Sequence, residues 1–255
     1  MGKGSGCASS KTAEDGPNQT ISASSGVQQH PPAQPAASPI PPFNATPATM
    51  SSAGTRKIYV IFYTTYGHIY KMVEQVSKGI NSVPGTEAVV LQVPETLPEG
   101  VLQKMHAPPK PDVPIVDVHD LPSADGFVFA FPTRYGMPPA QFKAFMDATG
   151  QLWQSGALVG KPVTFITSTA SLGGGQEVTI ASSLPFVSAH GMIWVPPGYS
   201  FGEPLFNLDD VRGGSGWGAG TFAGATGARQ PTNTELEFAE HQGKYFAGKV
   251  KLLSA

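Results

Sequence analysis

The chain has 255 residues, a formal net charge of −2 and 13% charged side chains, long enough for one sizeable core and without the basic excess that nucleic-acid binding needs. No apolar run approaches the length of a membrane span. The single cysteine, Cys7, excludes an internal disulfide and leaves the folded part without a thiol nucleophile or a thiolate metal site.

Residues 1–55 are low in complexity, rich in Ser, Ala, Gln, Pro and Gly. Such a segment buries too little apolar surface to offset its chain entropy, so a disordered arm is expected. No apolar run follows the first residues, which argues against a secretory signal. Met1-Gly2-Lys3-Gly4-Ser5-Gly6-Cys7 resembles an acylation signal, with Gly2 for myristate and Cys7 for palmitate, although Gly6 holds the usual Ser/Thr position. One acyl chain binds membranes only marginally, which would make Cys7 the second anchor. The same residues also read as an unmodified glycine-rich start.

From Arg56 strands and helices alternate. The apolar run 58–63 predicts a buried strand, and Ile69, Met72, Val73, Val76 and Ile80 place one apolar face on a helix over 68–82. A strand over 87–92 precedes a long Pro-rich connection, 93–124. The run 126–131 is apolar on both faces, as a central parallel strand should be. A helix over 138–149 opens on Pro-Pro, and a strand over 162–168 follows. A helix over 177–189 carries Pro185 as a kink or early stop. A short strand over 192–195 leads into a Gly-rich loop, 196–233, and a last helix starts near Thr232 or Thr234. Five strands alternating with helices argue for an α/β, doubly wound parallel sheet, which binds ligands beyond its carboxyl strand ends.

The loops at those ends carry the candidate chemistry. Thr64-Thr65-Tyr66-Gly67-His68-Ile69 joins the first strand to a helix N-terminus, whose free N–H groups and dipole favour an anion. No Lys or Arg lies in the turn, so neutral donors would hold a phosphate there. The turn also reads as an ordinary helix start with Thr65 as N-cap. It is neither a Walker A loop nor a three-glycine dinucleotide fingerprint. After the third strand, Thr133-Arg134-Tyr135-Gly136 offers a ring for stacking and backbone N–H donors, or else a plain turn with a surface Arg134. After the fourth, Thr169-Ala170-Ser171-Leu172-Gly173-Gly174 lets the backbone approach a planar ligand, or forms a flexible loop before a helix. A lone Trp153 reads as a core or interface residue, and His190 as a helix-end cation.

Phe62-Tyr63-Thr64-Thr65-Tyr66-Gly67-His68-Ile69 resembles the opening of the flavodoxin-like quinone reductases of the WrbA type, a group that includes fungal minor allergens. Further similar segments follow in order: Val93–Thr96, Pro132–Gly136, Thr149–Trp153, Ser155–Leu158, Gly173–Glu177, His190–Met192, Val211–Gly214 and Arg229–Pro231. The resemblance covers residues 56–255 and implies a flavodoxin-like sheet of order 2-1-3-4-5. It assigns Thr64–Ile69 to an FMN phosphate, and Thr133, Arg134 and Tyr135 with Thr169–Gly174 to the flavin. It places Tyr66 near the nicotinamide nucleotide and Trp153 at the quinone pocket. The family usually has two adjacent His residues where Ala189-His190 stands, so His190 is a substrate-site candidate only by reaching the same cavity. Met137 replaces a usual polar residue. The resemblance also implies a homotetramer, with Trp217 suited to an interface.

The function so implied is FMN-dependent two-electron reduction of quinones to hydroquinones by NADH or NADPH, which avoids reactive quinone radicals. The protein needs no acid/base dyad, because the flavin carries the chemistry, and no metal is expected. Two rivals are a lipid-anchored FMN-binding scaffold and a flavodoxin-type electron carrier. The expected location is the cytoplasm, on the inner face of the plasma membrane where Gly2 and Cys7 are acylated.

Overall fold

The computed structural model describes residues 54–254; the acylation candidates Gly2 and Cys7, with nearly all of the low-complexity arm, lie outside that span. The apolar runs form one parallel sheet in the order β2 (Thr86–Gln92), β1 (Arg56–Phe62), β3 (Gly126–Pro132), β4 (Pro162–Thr169) and β5 (Ile193–Trp194). The register sets Val60 beside both Val90 and Val128, and Val128 beside Thr164. β3 and β4 are buried on both faces, whereas the edge strand β2 is half-buried.

Alternation along each strand divides the core in two. Ile58, Val60 and Phe62 face α1 (His68–Asn81) and the last helix, α7 (Asn233–Leu253). Tyr59, Ile61, Phe127 and Phe129 face α3 (Ala140–Asp147), where Phe142 and Phe145 meet Phe129 edge to face. α1 and α7 cross at two glycines. A Cβ on Gly79 would run into the Glu240 carbonyl, and one on Gly243 into that of Val76. At the same crossing Lys78 pairs with Glu240 (2.7 Å).

α7 is capped by Thr232, the earlier of the two expected start positions. The Thr232 hydroxyl accepts from the Glu235 N–H, and the Glu235 carboxylate accepts from the Thr232 N–H, a complete capping box. Thr232→Ala should lower stability by about 1 kcal/mol, measured as a shifted urea midpoint at unchanged slope.

Four features depart from the sequence reading. The sheet has six strands, because β6 (Gly220–Phe222) pairs with the carboxyl half of β4 inside the expected Gly-rich loop. Three residues without alternation give no strand signal. The Pro-rich connection holds α2 (Glu99–Lys104) and a 3-10 turn, Val118–Ser123. A further short helix, α4 (Gly150–Ser155), follows α3. The expected helix over 177–189 is two helices, α5 (Gln176–Ala181) and α6 (Leu184–Ala189). The break falls at Ser182-Ser183, and Pro185 sits in the first turn of α6, where a missing N–H costs nothing.

Candidate functional site

The carboxyl ends of β1, β3, β4 and β6 converge on a cavity of about 400 Å³, within the roughly 300–1,000 Å³ of small-molecule sites. Its lining takes Thr64, Thr65, Tyr66, His68 and Ile69 from the first turn, Pro132, Thr133 and Arg134 after β3, and Ser168, Thr169 and Ala170 after β4. The fourth wall, Ala223 to Gly227, follows β6.

The turn before α1 is shaped by Gly67, whose φ of +89° is the left-handed region that glycine adopts freely. Gly67, not Thr65, occupies the N-cap, and its N–H donates to the Thr64 hydroxyl (3.0 Å). The Thr65 and Tyr66 amides take no acceptor among the described residues. The first N–H groups of α1 lack intrahelical partners by geometry. Thr64 and Thr65 are almost wholly buried, so their donors serve this cavity and not bulk water.

The expectation of purely neutral donors needs correction. Arg134 reaches back across the sheet end and donates to the Thr65 hydroxyl (3.1 Å) and to the Thr133 carbonyl (2.9 Å), placing a guanidinium in the cavity wall. Behind the turn, Lys110 donates to the Thr64 carbonyl (2.7 Å), pairs with Glu95 (2.7 Å) and lies 4.3 Å from the Tyr63 ring centre. Both cations come from segments distant in sequence from the turn, so no window around Thr64 and Thr65 shows that they reach it.

The Lys110 cluster has a pH signature. Burial alone raises the Glu95 carboxyl, but hydrogen bonds from Lys110, the Leu97 N–H and Gln141 outweigh it and hold the carboxyl at about 2. Burial and the adjacent Glu95 charge push the Tyr63 phenol up to about 12. A depressed folded value means the unfolded chain takes up the proton first. The contribution of Glu95 is therefore complete above its ordinary 4.5 and is lost as pH falls from there through about 2. Urea unfolding of Glu95→Gln between pH 6 and 3 should show lower stability at pH 6 and a flatter decline than wild type.

The remaining expected residues divide. Thr133 holds its own loop: its hydroxyl accepts from the Gly136 N–H (3.0 Å) and from Thr179 (2.7 Å). Tyr135 has φ +55°, unusual for a residue with a Cβ, and the residue is 98% exposed. Tyr135, Ser171, Leu172, Gly173 and Gly174 follow the right strands but do not line the cavity. A Cβ on Gly174 would sit 2.7 Å from the Ser171 carbonyl, so that turn admits only glycine. Trp153 lies half-exposed on α4, away from the lining.

His190 does not reach the cavity. It ends α6 inside the core, bonded to the Thr149 hydroxyl (2.9 Å) and packed 4.6 Å from the Phe186 ring centre, with Nδ1 taking no partner among the described residues. Burial lowers its imidazole below the usual histidine range. The histidine that does line the cavity, His68, donates from Nε2 to the Arg229 carbonyl (2.8 Å). Pro132, Ser168 and the wall 223–227 were missed: Ala-Gly-Ala-Thr-Gly carries no periodicity and reads as mobile loop. No group of three metal-ligating side chains occurs among the described residues.

Free amides, two hydroxyls and one guanidinium at a helix start suit a phosphate, and the adjoining backbone loops suit a flat polar ring. The donor set therefore fits FMN.

The NADPH-dependent FMN reductase family matches residues 64–203. A quinone-oxidoreductase, QR2, of Triphysaria versicolor is 51% identical over 202 residues, 78% of this chain and 98% of its own. Minor allergen Alt a 7 of Alternaria alternata is 50% identical over 193 residues, 74% of this chain and 94% of its own. In structure, the crystallised flavodoxin, WrbA-like protein of Agrobacterium tumefaciens covers 77% of this chain at TM-score 0.53 and 22% identity, with 98% of its own chain aligned, a likeness of fold. With more than half of its length matched, the chain belongs to the NADPH-dependent FMN reductase family.

Proposed function

We propose that this chain is an FMN-dependent NAD(P)H:quinone oxidoreductase, moving two electrons from NADH or NADPH to a quinone and releasing the hydroquinone. The observation that carries the reading is the convergence of unpartnered turn amides, the Thr64 and Thr65 hydroxyls and Arg134 on one cavity, in a chain half identical to a protein named quinone-oxidoreductase. When bound, FMN supplies the hydride-accepting and hydride-donating chemistry. The protein binds and orients. Thr64–Ile69 and Arg134 would hold the phosphate, and the backbone of Thr133, Thr169 and Ala170 would border the ring. Tyr66, half-exposed in the lining with its hydroxyl donating to the Met105 carbonyl (3.2 Å), presents an apolar face to flat substrates. Two-electron delivery leaves no quinone radical to react with oxygen, which supports a role against oxidative stress.

The finer reading is a homotetramer. Exposed Tyr135, Met137, Trp153, Leu172 and Val178 supply the apolar surface an interface needs, and Trp153 would serve a neighbouring copy's cavity. The Gly2 and Cys7 pair supports a location on the cytoplasmic face of the plasma membrane.

The test is to purify the chain, record its flavin absorbance and follow NADPH and NADH oxidation with benzoquinone. A yellow protein that turns over either nucleotide is expected. A colourless protein that takes up no FMN overturns the proposal; a yellow one without turnover favours the anchored scaffold.

A further inference from the structure

Two segments singled out in the sequence, Val211–Gly214 and Arg229-Gln230-Pro231, enter the site as described so far only through the bond from His68 to the Arg229 carbonyl. The structure joins them at one buried carboxylate. The Glu235 side chain is fully enclosed. Its Oε1 accepts from the Gly213 N–H (2.7 Å) and Arg229 Nη2 (3.1 Å). Its Oε2 accepts from the Thr221 hydroxyl (2.8 Å), the Thr232 N–H (2.8 Å) and Arg229 Nη1 (3.1 Å). A capping box needs one of these bonds, and a glutamine makes it equally well. Burying a full charge is costly unless it is paired and saturated with hydrogen bonds. The extra bonds run to the Gly213 N–H, to Thr221 in β6 and to Arg229, and the last two flank the segment 223–227 that closes the cavity.

Arg229 is the clasp of that segment. Its guanidinium donates to the Phe222 carbonyl (2.8 Å) and the Val211 carbonyl (2.9 Å). Its N–H donates to the Ala223 carbonyl (3.0 Å), closing residues 223–229 into a loop. Its own carbonyl receives His68 at the start of α1. On the other side the Ala223 and Gly224 amides bond the Thr169 (2.8 Å) and Ala170 (3.0 Å) carbonyls. The loop is thus held on three sides beside the phosphate turn. Its Ala225 and Thr226 amides take no acceptor among the described residues, and both residues line the cavity.

We infer that Arg229 and Glu235 are positioning residues for flavin binding: the pair fixes the loop 223–227 as a fourth wall whose free amides complete the donor set for the FMN phosphate. This rests on the FMN reading above. Neither side chain touches the ligand; both act through the loop.

Glu235→Gln tests it, because glutamine keeps the volume and the capping bond while removing the charge that holds Arg229. Apo wild type and the variant are titrated with FMN and with riboflavin, and amide hydrogen exchange is read over 223–229 without ligand. FMN should bind the variant at least tenfold more weakly. Riboflavin, lacking the phosphate, should move less than threefold, and the Ala223, Gly224 and Arg229 amides should exchange faster. Arg229→Lys, which keeps charge but not the fork, should fall between, and it carries the test if Glu235→Gln does not fold. FMN affinity within twofold of wild type, or FMN and riboflavin weakened alike, overturns the inference. A wild type that binds no FMN overturns the proposed function instead.

Discussion

Apo-protein carrying Thr64→Val and Thr65→Leu together should bind FMN at least about 100-fold more weakly than wild type, about 2.7 kcal/mol of binding free energy. Valine removes the hydroxyl that accepts from the Gly67 N–H and shapes the left-handed step into α1. Leucine fills the nearly closed space beside Arg134 and deletes the hydroxyl that orients it. The phosphate then loses two side-chain donors and the correct aim of two backbone amides. Fluorescence quenching on titration with FMN measures the loss, and circular dichroism confirms the sheet. Undiminished affinity would show that the phosphate lies elsewhere and would sink the whole assignment of this turn.

The largest effects on stability should come from the crossing of α1 and α7. Gly79→Ala and Gly243→Ala should each cost about 3 kcal/mol or more, at the upper end of overpacking, and lower the melting temperature by roughly 6–12 °C for a chain of this size. Each added methyl meets backbone, which cannot rotate aside, so the helices must separate along the face that buries Met72, Val76, Phe246 and Val250. Gly248, on the same helix, faces open space. Gly248→Ala should therefore stabilise by about 0.5–1 kcal/mol. Calorimetry on the three variants separates close approach from helix propensity: a similar response at all three positions would remove the argument.

What the sequence shows of this fold and site follows the range of the forces involved. β1, its turn and α1 were legible because an apolar run, a glycine and a 3.6-residue period are all local. β3 was legible because a strand covered on both faces must be apolar throughout. The ends of the helices were less so, since Ser182-Ser183 and Pro185 divide α5 from α6 by backbone detail that periodicity does not register. β6 was hidden because its pairing with β4 supplies what its three residues lack. The candidate site shows the same divide. Thr64, Thr65 and Tyr66, named from the turn alone, line the cavity. Arg134 was found, but its bond to Thr65 spans 69 residues and turns an expected neutral site into a charged one. Lys110, 46 residues from Thr64, gave no signal. His190 was misplaced by analogy with a doubled histidine; with Ala189 beside it, the remaining ring serves Thr149 and the core.

β5 covers only the first residues of β4, and β6, some 25 positions later, covers the last. During synthesis the ribosome therefore releases a sheet whose business end is still bare. The cofactor pocket is finished only when the final quarter of the polypeptide has emerged and α7 has docked. A nascent chain stalled before Gly220 lacks both β6 and the helix that covers one face of the core, and should take up no FMN.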